Sequence, residues 1–97
     1  MTDRTVVYRC VPSVNWLRDR DAIRLVDAGS ARSWAFHGTD AIVWDLIATG
    51  YQLPQVSRML AVIRSVSPLE AAALVSDMLR NWETQGLVAV SPGENHG

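Results

Sequence analysis

The spacing of apolar residues changes once along this chain, from every second residue to every third or fourth, and the change falls at His37-Gly38. A strand sends alternate side chains to opposite faces, whereas a helix gathers positions i, i+3 and i+4 on one side. The switch of period therefore divides a strand part from a helical part, which a short apolar segment after Gly86 follows. Upstream of it, Val6, Val7 and Tyr8 are β-formers, and Pro12 and Ser13 end their run. Val14 to Arg18 comes next, and Asp19-Arg20-Asp21 supplies a turn. In Ala22 to Asp27, Ile23 and Leu25 alternate with Arg24. Ala28-Gly29-Ser30 turns the chain again. From Arg32 to His37, the alternation puts Arg32, Trp34 and Phe36 on one face and Ser33, Ala35 and His37 on the other. The three segments after Pro12 read as an antiparallel meander.

Downstream, three helices are expected. Thr39 is placed to cap the first, Asp40 sits in the first turn where the helix dipole favours an acid, and Gly50 stops it. Leu53-Pro54 opens the second, with Val56, Met59, Leu60 and Ile63 at core spacing. Ser67, Pro68 and Glu70 have the spacing of a cap, a first helical residue and a capping-box acid for the third. Along it, Leu74, Val75, Met78, Leu79 and Trp82 form a wide apolar arc that Gly86 ends. Leu87 to Val90 reads as a short closing strand. The fold class is α+β, a three-stranded antiparallel sheet followed by three helices in the manner of a winged helix-turn-helix.

With 97 residues, 48% of them apolar and 20% charged, the chain suits one small domain. We expect residues 1–90 to form it and residues 91–97 to be a flexible tail. A domain of this size holds one core but no deep cofactor cavity, which disfavours a complex enzyme. Cys10 is the sole cysteine, so an internal disulfide and a cysteine-rich zinc site are excluded. Charges interrupt the N-terminal residues where a signal sequence needs an apolar run, and no segment reaches the length of a membrane span. The expected location is the cytoplasm, with no membrane partner.

Catalytic chemistry finds little support. Nothing brings Cys10, His37 and His96 together as a nucleophile and its base. Cys10 reads as an inert packed thiol, His37 as a residue bonded to the turn, and His96 as solvated. Asp19 with Asp21, and Asp40 with Asp45, read as turn, cap and solvent-face residues rather than an acid/base pair. The glycines are isolated, which excludes a phosphate-binding loop. We expect no catalytic residue, no metal and no cofactor.

Binding remains. A winged helix-turn-helix raises the possibility of a DNA-binding transcriptional regulator, but the chain has nine basic and ten acidic residues. Its third helix carries Glu70, Asp77 and Glu83 against Arg80 alone, the wrong sign for a phosphate backbone. An open strand edge beside a helix suits a different ligand, an extended peptide added as a further strand. In Arg32 to Phe36 the aromatic side chains either join the core or floor such a groove.

The residues from Trp34 to Val88 also resemble the PqqD-like recognition elements, winged-helix-like domains that bind the leader segment of ribosomally made precursor peptides. The resemblance is carried by Phe36-His37-Gly38-Thr39, by Val43-Trp44, by Gly50, and by Val75-x-x-Met78-Leu79-x-x-Trp82-x-x-x-Gly86-Leu87-Val88. His37 replaces a common Asn, and Leu74 stands where an acid often precedes the Val. The single-domain length and the Trp in the first helix look most like the stand-alone members of lasso-peptide pathways. The resemblance implies a non-catalytic adaptor, to which the leader adds antiparallel to the third strand of the meander, between that strand and the third helix. The docking strand would be Arg32, Ser33, Trp34, Ala35 and Phe36. Leu74, Asp77, Met78 and Asn81 would form the helix wall, with Val75, Leu79 and Trp82 in the core. The implied partners are the precursor leader peptide and a maturation enzyme such as a leader peptidase, with no nucleic acid.

Overall fold

The computed structural model describes residues 6–92. Their order is β1 (Val6–Cys10), β2 (Val14–Asp19), β3 (Ala22–Asp27), β4 (Arg32–Phe36), α1 (Gly38–Thr49), α2 (Leu53–Arg64), α3 (Pro68–Thr84) and β5 (Val88–Pro92). The class is α+β. β2, β3 and β4 form the antiparallel meander in that order, and β1 pairs antiparallel with β5 in a separate two-stranded sheet. The closing strand runs two residues past Val90, and the rest of the expected tail, with His96, lies outside the described residues.

The register follows the alternation in the sequence. Ile23 pairs with Phe36 and Leu25 with Trp34, so these four share the inner face with Val14 and Trp16. Ile23, Leu25 and Phe36 are buried there, while Leu17, Arg24, Val26 and Ala35 look outward and are exposed. Against the inner face lies an aromatic group. Trp44 of α1 is fully buried and meets Trp82, Phe36 and Trp16 edge to face, at centroid distances of 5.5, 5.9 and 6.2 Å. Its indole N–H has no hydrogen-bond partner among the described residues, and ring faces are the weak acceptors that such packing offers.

Gly38 makes the corner between β4 and α1 at φ +57°, a backbone conformation that side-chain-bearing residues rarely adopt. His37, not Thr39, occupies the cap position of α1, and its side chain makes no cap hydrogen bond. Two sequence expectations fail here, since the corner needs its glycine one residue earlier and leaves His37 exposed. At the other end Gly50 adopts φ +118° and its N–H returns to Leu46 and Ile47, as expected for a glycine stop. Ser67 caps α3 through its hydroxyl, which accepts from the Glu70 N–H at 3.1 Å.

In α2 the buried residues are Val56, Ser57, Leu60 and Ala61, and Ile63 is 53% exposed. The helix is rotated relative to the apolar stripe read from the sequence. Small Ser57 and Ala61 turn inward, and the Ser57 hydroxyl is satisfied by the Leu53 carbonyl at 2.6 Å.

Gln52 joins α2 to β1. Its Oε1 accepts from the Tyr8 N–H at 2.8 Å, and its Nε2 donates to the Tyr8 carbonyl at 3.2 Å. It also caps α2 reciprocally with Gln55. The side chain thus occupies the β1 edge much as a neighbouring strand would. Gln52→Ala removes both bonds to Tyr8 and keeps the backbone N–H that donates to Gln55 Oε1, and its expected cost is about 2 kcal/mol, to be read from the shift of the urea unfolding midpoint.

Candidate functional site

β4 has β3 on one side, and no strand pairs with its other side among the described residues. In an antiparallel ladder alternate residues turn their N–H and C=O groups away from the existing partner. The outer side of β4 therefore carries unpaired backbone groups that can receive an extended chain.

α3 is tied to this strand at its C-terminal end. Phe36 is buried and stacks on Trp82, with ring centroids 4.9 Å apart and planes inclined by 11°. The half-buried Trp34 donates its Nε1–H to Gln85 Oε1 at 2.7 Å. Gln85 is fixed because the helix ends there. Its N–H returns to the Asn81 carbonyl, Gly86 follows at φ +81°, and the Leu87 N–H reaches the Trp82 carbonyl at 2.9 Å.

The distribution of α3 follows from 100° per residue. Ala71, Val75, Leu79 and Trp82 are buried, which matches the core assignment of Val75, Leu79 and Trp82. Leu74, Met78, Asn81 and Gln85 fall at i, i+4, i+7 and i+11, a stripe on one flank of that core arc. Its last member is the residue bonded to Trp34. Within the stripe, Met78 is half-buried against the core, Leu74 is 46% exposed and Asn81 is exposed. Asp77 lies further round toward solvent, where it pairs with Arg80 at 3.4 Å. On the strand, Arg32 holds its guanidinium 4.7 Å from the Trp34 ring centroid, and Ser33 and Ala35 are exposed on the opposite face.

The structure thus brings Trp34 and Phe36 directly against α3. It sets Met78 and Leu74 on the adjoining flank and places Asp77 beyond it. Gln85 was not singled out by the sequence reading. Its signal was available in its position, one turn past Asn81 on the Leu74 and Met78 stripe and just before the helix-ending glycine.

The other candidate groups stand apart. Cys10 is half-buried, and burial pushes its thiol up to about 11, the reverse of what an activated nucleophile needs. Burial likewise raises Asp40 above the usual carboxylate range. Asp19 pairs with Arg24 at 2.9 Å and Asp45 with Arg18 at 2.7 Å. Among the described residues no group of three or more His, Cys, Asp and Glu side chains could hold a metal ion, and no single helix is long and apolar enough to cross a membrane.

No family model matches this sequence, and no curated protein does. Solved structures do. TbiB1 in complex with the TbiA(beta) leader peptide is 15% identical, with a TM-score of 0.79 over 82% of this chain and 93% of that one. Lasso peptide synthetase B1 complexed with the leader peptide is 17% identical, with a TM-score of 0.78 over 84% of this chain and 96% of that one. At these identities the likeness is one of fold, and it extends over almost the whole of both other chains.

Proposed function

We propose that the protein is a non-catalytic adaptor. It binds the leader segment of a ribosomally made precursor peptide as an added strand on β4, antiparallel to it, and presents the precursor to a maturation enzyme, in a lasso pathway a leader peptidase. The observation that carries this reading is the open edge of β4, with half-buried Trp34 on its inner face, Phe36 buried against Trp82, and the strand held beside α3 by the Trp34–Gln85 hydrogen bond. Main-chain hydrogen bonds along the edge provide affinity, and side-chain pockets on the inner face provide choice. Met78 and Leu74 suit the apolar part of that role, because unbranched Met adapts to irregular partners. Asn81 is the polar selector on that flank, whereas Asp77, paired with Arg80 toward solvent, lies beyond it. Two further observations support the reading. Both similar structures hold a leader peptide, and the sequence motifs resemble the PqqD-like recognition elements.

The experiment is a titration of the purified protein into a fluorescently labelled leader from the precursor encoded beside its gene, followed by polarisation. Saturable binding is expected, with affinity changing less than about tenfold between 50 and 200 mM salt, because a DNA binder making 6–10 phosphate contacts loses ~10³–10⁵ over that range. A peptide that fails to bind, with duplex DNA bound instead and a steep salt dependence, would establish a transcriptional regulator in its place. Presentation is tested separately: addition of the protein should accelerate leader removal by the purified peptidase.

A further inference from the structure

Arg32 begins β4 directly opposite Asp27 of β3, an arrangement that ordinarily ends in a cross-strand ion pair. Here it does not. The Asp27 carboxylate is taken by its own turn: Oδ1 accepts from the Ser13 hydroxyl and the Gly29 N–H, each at 3.2 Å, and Oδ2 accepts from the Ser30 hydroxyl at 2.8 Å. These bonds, led by the one from Ser30 and followed by that from Gly29, hold the carboxyl below the usual range, and the charge of Arg32 is the smallest contribution. Arg32 meanwhile lies over Trp34 and makes no ion pair among the described residues.

The arrangement has a chemical consequence. A guanidinium stacked over an aromatic face keeps a planar fork of N–H donors free at its edges, and that fork matches a carboxylate in two-point geometry. Holding the side chain on the ring in advance reduces the ordering that binding would otherwise require. Arg32 is the sole charged residue of β4, and the last turn of α3, which reaches Trp34 through Gln85, contains no basic residue. A guanidinium that makes no ion pair among the described residues therefore stands at one end of the groove floor, on the same strand face as Trp34 and Phe36.

We propose that Arg32 is a specificity-determining receptor for a carboxylate side chain of the bound peptide, an Asp or Glu two positions from the residue that rests on Trp34. This rests on the strand-addition reading above. With the peptide antiparallel to β4, the acid lies on the C-terminal side of that residue, since the partner of Arg32 follows the partner of Trp34. The ligand class is thus an extended segment with apolar residues at alternate positions that ends in an acid. Turn chemistry keeps the Asp27 oxygens bonded to Ser13, Gly29 and Ser30, which leaves the guanidinium N–H groups of Arg32 available to the peptide carboxylate.

The test does not depend on which precursor the protein serves. A library of random linear peptides displayed on phage is selected on the folded protein and on Arg32→Gln and Arg32→Glu, whose folding is checked by circular dichroism. The wild type is expected to enrich Asp or Glu two positions from an apolar residue, and Arg32→Gln to lose that preference. Peptides of the wild-type set should bind Arg32→Gln about tenfold more weakly, the scale of one charge-assisted pair at a partly exposed site. Arg32→Glu should enrich Lys or Arg at the same position. Selected peptides that alternate apolar residues but show no acid, or an acid preference that persists in Arg32→Gln, would overturn the role of Arg32 while leaving strand addition standing. A folded wild type that enriches no sequence at all would overturn the peptide-binding reading, and the role of Arg32 with it.

Discussion

Trp44→Ala is expected to remove about 3–5 kcal/mol of folding stability, the usual cost of deleting a buried aromatic ring. A domain of this size has roughly 5–15 kcal/mol in all. The loss is large because Trp44 is fully buried and touches Trp16, Phe36 and Trp82 at once, so the cavity opens at the junction of α1, the sheet and α3. Small neighbours could refill such a hole, but three rings already held in edge-to-face contacts cannot. Trp44→Phe provides the contrast. It keeps a ring and removes the N–H that has no hydrogen-bond partner among the described residues, which offsets about 1 kcal/mol of the volume lost; it should fall well short of the alanine variant. Urea unfolding followed by circular dichroism measures both. A cost for Trp44→Ala near that of a surface substitution, about 0.5 kcal/mol, would mean that the aromatic group does not centre the core.

For binding, the largest expected effect is that of Trp34→Ala. Loss of an anchoring aromatic at the centre of an interface costs about 2 kcal/mol or more, roughly a thirtyfold weaker complex. Two further losses follow from the structure. Gln85 is left without its donor, so the end of α3 is tied to β4 only through the Phe36–Trp82 stack, and Arg32 loses the ring that positions it. Since Trp34 is half-buried, the folding cost should be smaller, about 1–2 kcal/mol, and the variant should remain folded at room temperature. Met78→Asp examines the same groove from the helix, by placing a charge on its apolar flank without altering the strand. Leu17→Ala, on the exposed outer face of the sheet, should leave affinity unchanged. Polarisation titrations of the labelled leader against all three variants decide the matter. Full affinity in both Trp34→Ala and Met78→Asp would remove the groove from consideration.

The sequence determined whatever depends on neighbours a few positions away. The change of period at His37-Gly38 located the border between sheet and helices, because side-chain direction follows from local backbone geometry alone. Ser67, Pro68 and Glu70 marked the start of α3, and Gly50 and Gly86 marked helix ends, because caps and positive-φ stops are local chemistry. Leu74, Val75, Met78, Leu79 and Trp82 were legible as one apolar arc from their spacing, the division of that arc into core and wall came with the resemblance, and Trp34 and Phe36 were legible as one face of a strand. Some features required the folded chain. Which stripe of α2 turns inward was settled by space: apolar residues sit on more than one side of that helix, and small Ser57 and Ala61 take the interior while Ile63 is left outside. The Gln52 clamp on Tyr8 joins residues 44 apart, and the Trp34–Gln85 bond joins residues 51 apart. A glutamine has no local signature for such a role, since its partners are fixed only when the start of α2 meets β1 and α3 closes on β4. The same holds for Arg32. It faces Asp27 across the ladder, but the turn takes that carboxylate and the guanidinium lies over Trp34. Periodicity therefore fixed the elements and their inner faces, whereas the groove, which is a distance between elements remote in sequence, was decided by tertiary packing.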